Sequence, residues 1–492
     1  MRPVLFLAIG FSAAIGGAEE SAYSPDAREI SALTEMLSDV LEGVENVEAA
    51  VPAQSAGEAI VLDARRCVQL ALERNAQVFA TAADVAAREA QHGQAKSLRW
   101  PQIKGHAVYS YIEGLPVDLY STGALSFLAE SISAEKWQVN AGFSLDQVLY
   151  AGGRIRAASR ASKHLAESEA WKREVVLAEL EFQARQGFHD TLLTRALVLV
   201  AEETVATFER HLADARQMLD VGLISDFEVL RAQTEVGARA ADLETARGAE
   251  RIAVVNLLRI LAMPQDTPVV LDGKVEWTPL DAPVSALIEE AKLNRPELRA
   301  LERGIAAARE QVTAKRAAYL PSAGAKVLWE QMEGGTSVLP EGWTFNVGLE
   351  WELSAGGRRK QEVIEAQAQL RSLEYQREDV ARLVELDVRQ AALRVQESIA
   401  KIRAEKGTVA LAEEGLRMAQ LRFQEGVGTQ VETLDAALAL TGARTQLVRA
   451  LRDYAVAVAA LDKALGRSWG NRERPTPRSD GSDRSDRSDG SN

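Results

Sequence analysis

Hydrophobic and polar positions alternate strictly in a few short stretches of this chain and step by three and four over most of the rest. In Lys136 to Tyr150 the odd positions are Trp137, Val139, Ala141, Phe143 and Leu145, set against Gln138, Asn140, Gly142, Ser144 and Asp146. In Thr344 to Ser354 Phe345, Val347, Leu349, Trp351 and Leu353 alternate with Thr344, Asn346, Gly348, Glu350, Glu352 and Ser354. A period of two over about ten residues predicts a strand with one apolar and one polar face. Gln102 to Glu113 (Ile103, Ala107, Tyr109, Tyr111) and Ala323 to Glu333 (Ala325, Val327, Trp329) are the expected partners. They give β-hairpins over 102–150 and 323–354, with a long loop from Gly114 to Glu135 and a short one from Gly334 to Trp343. The apolar faces carry Trp, Tyr and Phe, the opposite faces carry charge, and ~10 residues tilted at ~45° is the length of a transmembrane strand. An ordinary half-buried sheet in a soluble domain is the plainer reading.

The remaining pattern is helical. Val380, Val384, Val388, Ala391, Val395, Ile399 and Ile402 step by three and four, as do Leu434, Leu438, Thr441, Thr445, Val448 and Leu451. Such stripes predict helix-on-helix packing of coiled-coil type. No Pro interrupts Gly153 to about Leu219, and about 65 residues at 1.5 Å rise make a helix of roughly 100 Å. A second helix is predicted from Asp226 to Ala262, and Gly357 to Gln424 and Val431 to Leu465 repeat the arrangement. Shorter helices over 77–98 and 297–318 stop at Trp100-Pro101 and Leu320-Pro321, because Pro lacks a donor and disfavours helical geometry before it.

These patterns occur twice, with one offset. Gly152-Gly153-Arg154 recurs 204 residues later as Gly356-Gly357-Arg358, Leu261 as Leu465, and Glu228, Leu230 and Ala232 as Glu432, Leu434 and Ala436. An internal repeat sets the architecture before any local reading. The expected organisation is a signal peptide at 1–18, a segment of unassigned role at 19–57, repeat one at 58–262 and a Pro-rich linker at 263–283. Repeat two follows at 284–467, and then a disordered Ser/Asp/Arg/Gly-rich tail at 468–492. Arg2, the apolar run Val4 to Ile15 and the small residues Gly16-Gly17-Ala18 make the signal, so the mature chain is expected to work outside the cytoplasm.

Composition narrows the function. The formal charge of −14 argues against nucleic acid, which needs a basic footprint. It suits an acidic lumen or an ordinary solvated surface equally. The one cysteine, Cys67, cannot form an internal disulfide and reads as a small buried hydrophobe. His92, His106, His164, His189 and His211 fall in separate elements without metal-ligand spacing. Neither a Gly-x-Ser-x-Gly nor a Walker pattern is present. No active site, metal or cofactor is expected.

Four strands cannot close a barrel, and an open sheet edge in lipid leaves N–H and C=O groups unsatisfied. The chain must therefore associate with copies of itself. Two copies supply 8 strands and three supply 12. A barrel fed by long helices suggests an open lumen, whereas about eight strands fill with side chains, which favours three or more. A soluble periplasmic coiled-coil scaffold or adaptor is the alternative. It would stay in the soluble fraction, where a duct needs detergent.

Leu70-Ala71-Leu72 through Asn75, Asn294-Arg295-Pro296-Glu297-Leu298, Leu149-Tyr150-Ala151-Gly152-Gly153-Arg154 and Leu353-Ser354-Ala355-Gly356-Gly357-Arg358 together resemble the TolC-like outer-membrane efflux protein family. The resemblance covers about residues 60–467. It implies a mixed fold: a homotrimer whose protomers each give four strands to a 12-stranded transmembrane β-barrel, continuous with a long periplasmic α-helical barrel of coiled-coil hairpins. It implies a passive exit duct in the outer membrane of a Gram-negative bacterium, serving a tripartite efflux or type I secretion system. A periplasmic adaptor (membrane fusion) protein, an inner-membrane pump and outer-membrane lipid are the implied partners.

Two turns complete the reading. Val221-Gly222-Leu223-Ile224-Ser225-Asp226 and Gly426-Val427-Gly428-Thr429-Gln430 break the helical stripes at the end far from the strands. Gly ends a helix through left-handed geometry, and Ser225 with Asp226 can cap the next one. The resemblance makes these turns, with Val221, Gly222, Leu223, Ser225, Val427, Gly428 and Thr429, the tips that contact the adaptor. Just beyond, Glu432 and Asp435 share a helical face, with Glu228 and Arg231 as counterparts. The resemblance implies that Glu432 and Asp435 ring a constricted periplasmic aperture, which Arg231 helps hold. A solvated face or an Arg231–Asp435 pair is the plainer alternative. Gly152, Gly153, Gly356 and Gly357, with Pro101 and Pro321, are expected to turn strand into helix.

Overall fold

The computed structural model describes residues 60–111, 137–222, 224–273, 275, 277, 282–334 and 342–468. The expected signal peptide, the 19–57 segment, the 114–135 loop and all of the tail beyond Ser468 lie outside them. Among the described residues the order is β1 (Ile60–Leu62), α1 (Ala64–Arg74), α2 (Ala76–Ser97), β2 (Gln102–Tyr111), β3 (Trp137–Ala151), α3 (Arg154–Asp220), α4 (Asp226–Ile260) and β4 (Val269–Leu271). Then come α5 (Val284–Asn294), α6 (Pro296–Arg316), β5 (Ser322–Gly334), β6 (Gly342–Glu350), α7 (Arg358–Gln424) and α8 (Gln430–Ala464). α3 and α7 have 67 residues each, roughly 100 Å of helix. α4 and α8 have 35 each and fold back along them.

Local chemistry sets the boundaries. The Asp63 carboxylate caps α1 by accepting the Arg66 N–H at 2.5 Å, and the Asn75 amide oxygen caps α2 by accepting from Gln77 at 2.9 Å. Asn75 also donates to the Ile260 carbonyl at 3.0 Å, tying this break to the end of α4. Pro296 opens α6, where a missing N–H costs nothing. Gly152 and Gly153 have φ of 60° and 87°, and Gly356 and Gly357 of 58° and 87°. These left-handed pairs swing a strand directly into a 67-residue helix at little steric cost. At Gly152 space is also tight: a Cβ would lie 2.6 Å from the Ala317 carbonyl oxygen.

The main sheet is antiparallel, in the order β2-β3-β5-β6. Its register sorts side chains by parity. Ile103, Leu145, Val327 and Phe345 form one row, and Gly105, Phe143, Trp329 and Trp343 the next. The opposite face carries Gln102, Asp146, Lys326 and Asn346 in one row and His106, Gly142, Glu330 and Gly342 in another. The odd face of β6 is bare, with Phe345 73% and Val347 79% exposed. On the even face Lys104 pairs with Asp146 at 3.5 Å. His106 and Asn140 both reach Glu330 at 3.2 Å. Gly142 lies between His106 and Glu330, and a Cβ there would sit 2.2 Å from the Trp329 carbonyl oxygen. β6 stops at Glu350, short of the predicted Ser354. The Trp351 indole instead donates to the Tyr319 carbonyl at 3.2 Å, and Arg359 draws Glu352 away at 2.7 Å.

The apolar core has two large clusters at mid-height, with two small ones further along the long helices around Phe208 with Leu434 and Val409 with Leu440. Of the large ones, one gathers Leu62, Cys67, Leu70, Leu180, Ala184, Phe188, Leu257 and Leu261 from β1, α1, α3 and α4. The other gathers Leu287, Ile288, Val384, Val388, Val395, Ile402, Leu461 and Leu465 from α5, α7 and α8. Beside the first, β1 pairs with β4 in parallel, Ile60 opposite Val269. The stretch expected to be a plain linker therefore contributes a strand.

Two outcomes follow. Burial, with Asp63 adding to it, pushes the Cys67 thiol up to about 12, so at pH 8 iodoacetamide should label Cys67 only after denaturation. Labelling of native protein at the denatured rate would contradict the packing. Gly142→Ala should cost about 3 kcal/mol through overpacking, read as a lower melting temperature in detergent.

Candidate functional site

The two long hairpins meet along α3 and α8, which run antiparallel. Polar rungs join them: Arg185 to Asp462 at 2.7 Å, Lys463 to Glu179, Arg452 to Asp190 at 2.5 Å, and Arg444 to Glu203 at 2.5 Å. Thr204 and Thr441 hydroxyls meet at 3.0 Å. These partly buried pairs trade desolvation against attraction and add little net stability, so the ladder chiefly sets register; the apolar clusters carry the stability. Arg295, only 7% exposed, performs a similar tie: it donates to the Lys463 carbonyl at 3.2 Å and to Asp387 at 2.7 Å. The ladder's members were not singled out from sequence, because each looks like one more charge on a solvated helix.

His189 lies in this interface. Burial, then the Arg185 and Arg452 guanidiniums, push its imidazole down to about 4. Burial also lowers His211, whose Nε2 has no hydrogen-bond partner.

At the far end the two turns share a geometry. Gly222 and Gly426 both have φ of 74°, supplying the left-handed residue that ends α3 and α7. The second turn is closed by Gly428 donating to the Arg422 carbonyl at 2.8 Å. A Cβ on Gly428 would come within 2.9 Å of the Phe423 nitrogen. Thr429 caps α8, accepting the Glu432 N–H at 3.2 Å. Ser225 holds the N-cap position of α4 but makes no side-chain cap bond, short of the capping expected from its type. Val221 and Val427 are each 70% exposed at the tips. Leu223 lies outside the described residues.

Beyond the turns Glu432 and Asp435 are exposed on α8, and Arg231 is exposed on α4. Glu432 faces Arg422 of α7 at 3.6 Å. Among the described residues no ion pair joins Arg231 to Asp435. Glu228 is partly buried, and its Oε2 has no partner. A single chain thus leaves Arg231 and Asp435 with their charges unmatched at one level of the helical end.

Nothing in this arrangement resembles a reaction centre. Open clefts of about 480 and 510 Å³ lie between helices and are lined largely by Ala, Gln and scattered charges. Among the described residues no helix is long and apolar enough to cross a membrane.

A two-part chain, with an aromatic-faced sheet at one end and hairpins of roughly 100 Å below it, is the form of a channel protomer. The profile of the outer membrane efflux protein family matches residues 67–263 and 287–467, and the chain belongs to that family. The solvent efflux pump outer membrane protein SrpC of Pseudomonas putida is 26% identical over 419 residues, covering 82% of this chain and 85% of the relative. The cation efflux system protein CusC of Escherichia coli is 24% identical over 417 residues, covering 81% and 85%. Among solved structures, CusC superposes with a TM-score of 0.70 at 20% identity, over 85% of this chain and 96% of that one. The Campylobacter jejuni CmeC channel does so at 0.70 and 16%, over 92% and 93%. These neighbours share the fold. The protein is an outer-membrane protein of a family whose members are channels.

The His189 geometry predicts an acid-sensitive interface. Its folded pKa lies below the unfolded value, so stability is full above about pH 6.5 and falls as pH drops toward 4. Between pH 6.5 and 5 the loss from His189 is about 2 kcal/mol per chain. Melting of the detergent-solubilised protein over this range should show it, and His189→Gln should flatten the slope. An unchanged slope would remove His189 as its cause.

Proposed function

We propose that three copies of this chain form a passive duct through the outer membrane and across the periplasm, the exit component of a tripartite efflux assembly. The observation that carries this reading is the parity of the sheet. Apolar side chains predominate on the odd face of all four strands and polar ones on the even face, with Gln331 on the odd face and Val108 and Leu328 on the even face among the exceptions, as a barrel wall between lipid and water favours. Three sheets side by side supply 12 strands, and pairing β6 of one copy with β2 of the next satisfies the open edges. Continuous helices below the Gly-Gly turns carry the wall inward. The offset of 204 residues between Arg154 and Arg358, and again between Asp226 and Gln430, supports an internal repeat that makes one protomer two similar wall segments.

The tips at Val221, Gly222, Ser225, Val427, Gly428 and Thr429 are the surface for a periplasmic adaptor, and an inner-membrane pump supplies the driving force. The names of the relatives span solvents and cations, so the duct architecture serves unlike cargo and selectivity lies with the pump.

Glu432 and Asp435 line the aperture in this reading. Three copies bring six carboxylates together, which favours cations, and Arg231 meeting Asp435 of the adjacent copy holds the constriction. Glu432→Ala/Asp435→Ala should raise single-channel conductance in planar bilayers severalfold and weaken cation selectivity. Unchanged conductance and selectivity would remove these residues from the aperture.

A further inference from the structure

The chain carries a formal charge of −14, yet six cations without ion-pair partners among the described residues stand at the junctions between its main sheet and its helices. All four strands of the main sheet meet helices at the same end: α2 leads into β2, β3 into α3, α6 into β5 and β6 into α7. Lys96 and Arg99 stand at the first junction, Arg154 and Arg156 at the second, Arg316 at the third and Lys360 at the fourth. All six are exposed, and among the described residues none of them forms an ion pair. The acids beside them are largely taken. Glu352 is held by Arg358 at 3.3 Å and Arg359 at 2.7 Å, and Glu362 by Lys315 at 3.6 Å and Arg358 at 2.8 Å.

A second feature sits at the same level. Trp100, Tyr150, Tyr319 and Trp351 are all 46–69% exposed, and Leu98, Leu149, Leu320 and Leu353 beside them are exposed too. Large aromatic and aliphatic side chains left in solvent next to uncompensated Arg and Lys are a poor arrangement for water on every side. They suit a membrane boundary, where rings lie at headgroup depth and cations meet phosphate. The cluster is not a nucleic-acid surface, since it is a thin band confined to strand–helix junctions on an acidic protein. An acidic protein partner would leave the aromatic belt uncovered.

We infer that this collar, centred on Arg99, Arg154, Arg156, Arg316 and Lys360, is a binding surface for the phosphates of anionic phospholipids in the periplasmic leaflet of the outer membrane. The inference rests on the sheet lying in the membrane, as proposed above. The collar fixes the depth at which strands give way to helices: the aromatic belt stops the protein from sinking, and lipid phosphates on Arg and Lys stop it from rising. It also accounts for cations at both Gly-Gly-Arg turns, where the left-handed glycines present the next side chain at the head of the helix.

The experiment uses the full chain, purified in detergent and placed in bilayer nanodiscs of phosphatidylcholine with and without phosphatidylglycerol. Lipid retained on re-extraction is then counted by native mass spectrometry. Wild-type protein should enrich phosphatidylglycerol about fivefold over phosphatidylcholine, since each cation near the surface adds a modest increment. High salt should erase the preference. Arg154→Gln/Arg156→Gln/Arg316→Gln/Lys360→Gln should retain both lipids near parity, while Arg216→Gln/Arg371→Gln, which removes exposed cations elsewhere on α3 and α7, should behave as wild type. Equal enrichment in the collar variant, or displacement of phosphatidylglycerol by inorganic phosphate at moderate ionic strength, would overturn the inference. Failure of the wild-type protein to enter nanodiscs of either composition would instead overturn the membrane placement of the sheet.

Discussion

Main-chain hydrogen bonding at a sheet edge is the constraint on which everything else depends. β3 and β5 are paired on both sides, but β2 and β6 each leave a row of N–H and C=O groups open within one chain. In water such edges are a manageable liability. In hydrocarbon each unsatisfied group costs several kcal/mol, far more than any ion pair in this molecule returns. Placed in lipid as proposed, the four-stranded sheet would need partners for both edges, and the simplest partner is another copy.

The helices solve a different problem. Two large apolar clusters at mid-height and two small ones around Phe208 and Val409 hold the hairpins, and elsewhere much of what the long helices bury is Ala, Val and Ser. Thin side chains let helices approach closely over a long distance without a thick core. Alignment along such a seam is weakly specified by shape alone, and the Arg185–Asp462, Arg452–Asp190 and Arg444–Glu203 rungs discriminate against slippage, since a shift of one turn would strand several half-buried charges at once. His189, kept neutral between two guanidiniums, belongs to that device and makes it sensitive to acid.

Strand gives way to helix at the glycine turns. A strand rises by about 3.3 Å per residue and a helix by 1.5 Å, so the change from one to the other needs a sharp local rotation. The paired left-handed glycines supply it at both junctions. Exposed Trp, Tyr, Arg and Lys cluster there as well.

Much of this was legible in the chain itself. Period two marks the strands, period three to four the helices, and Gly and Pro their limits, because each signal is local. The exposed tips at Val221 and Val427 and the left-handed Gly222 and Gly426 were legible for the same reason. The β1–β4 pairing was not: Ile60–Leu62 and Val269–Leu271 are three-residue strands about 200 residues apart, too short to show a period and defined only by each other. The same holds for Ser225, whose residue type favours a cap bond that the local geometry does not make, and for β6, which ends where Trp351 finds Tyr319. The partners of Arg185, Arg295 and His106 were equally hidden, since a charged residue on a helix or strand looks the same whether water or a distant carboxylate faces it. Sequence by itself determined which segments are strand and helix and which face of each is apolar, because those follow from covalent geometry and side-chain type. Only tertiary structure decided which faces meet, which charges are matched and which are left for a membrane or a second copy, because these depend on the packing of segments that are remote along the chain.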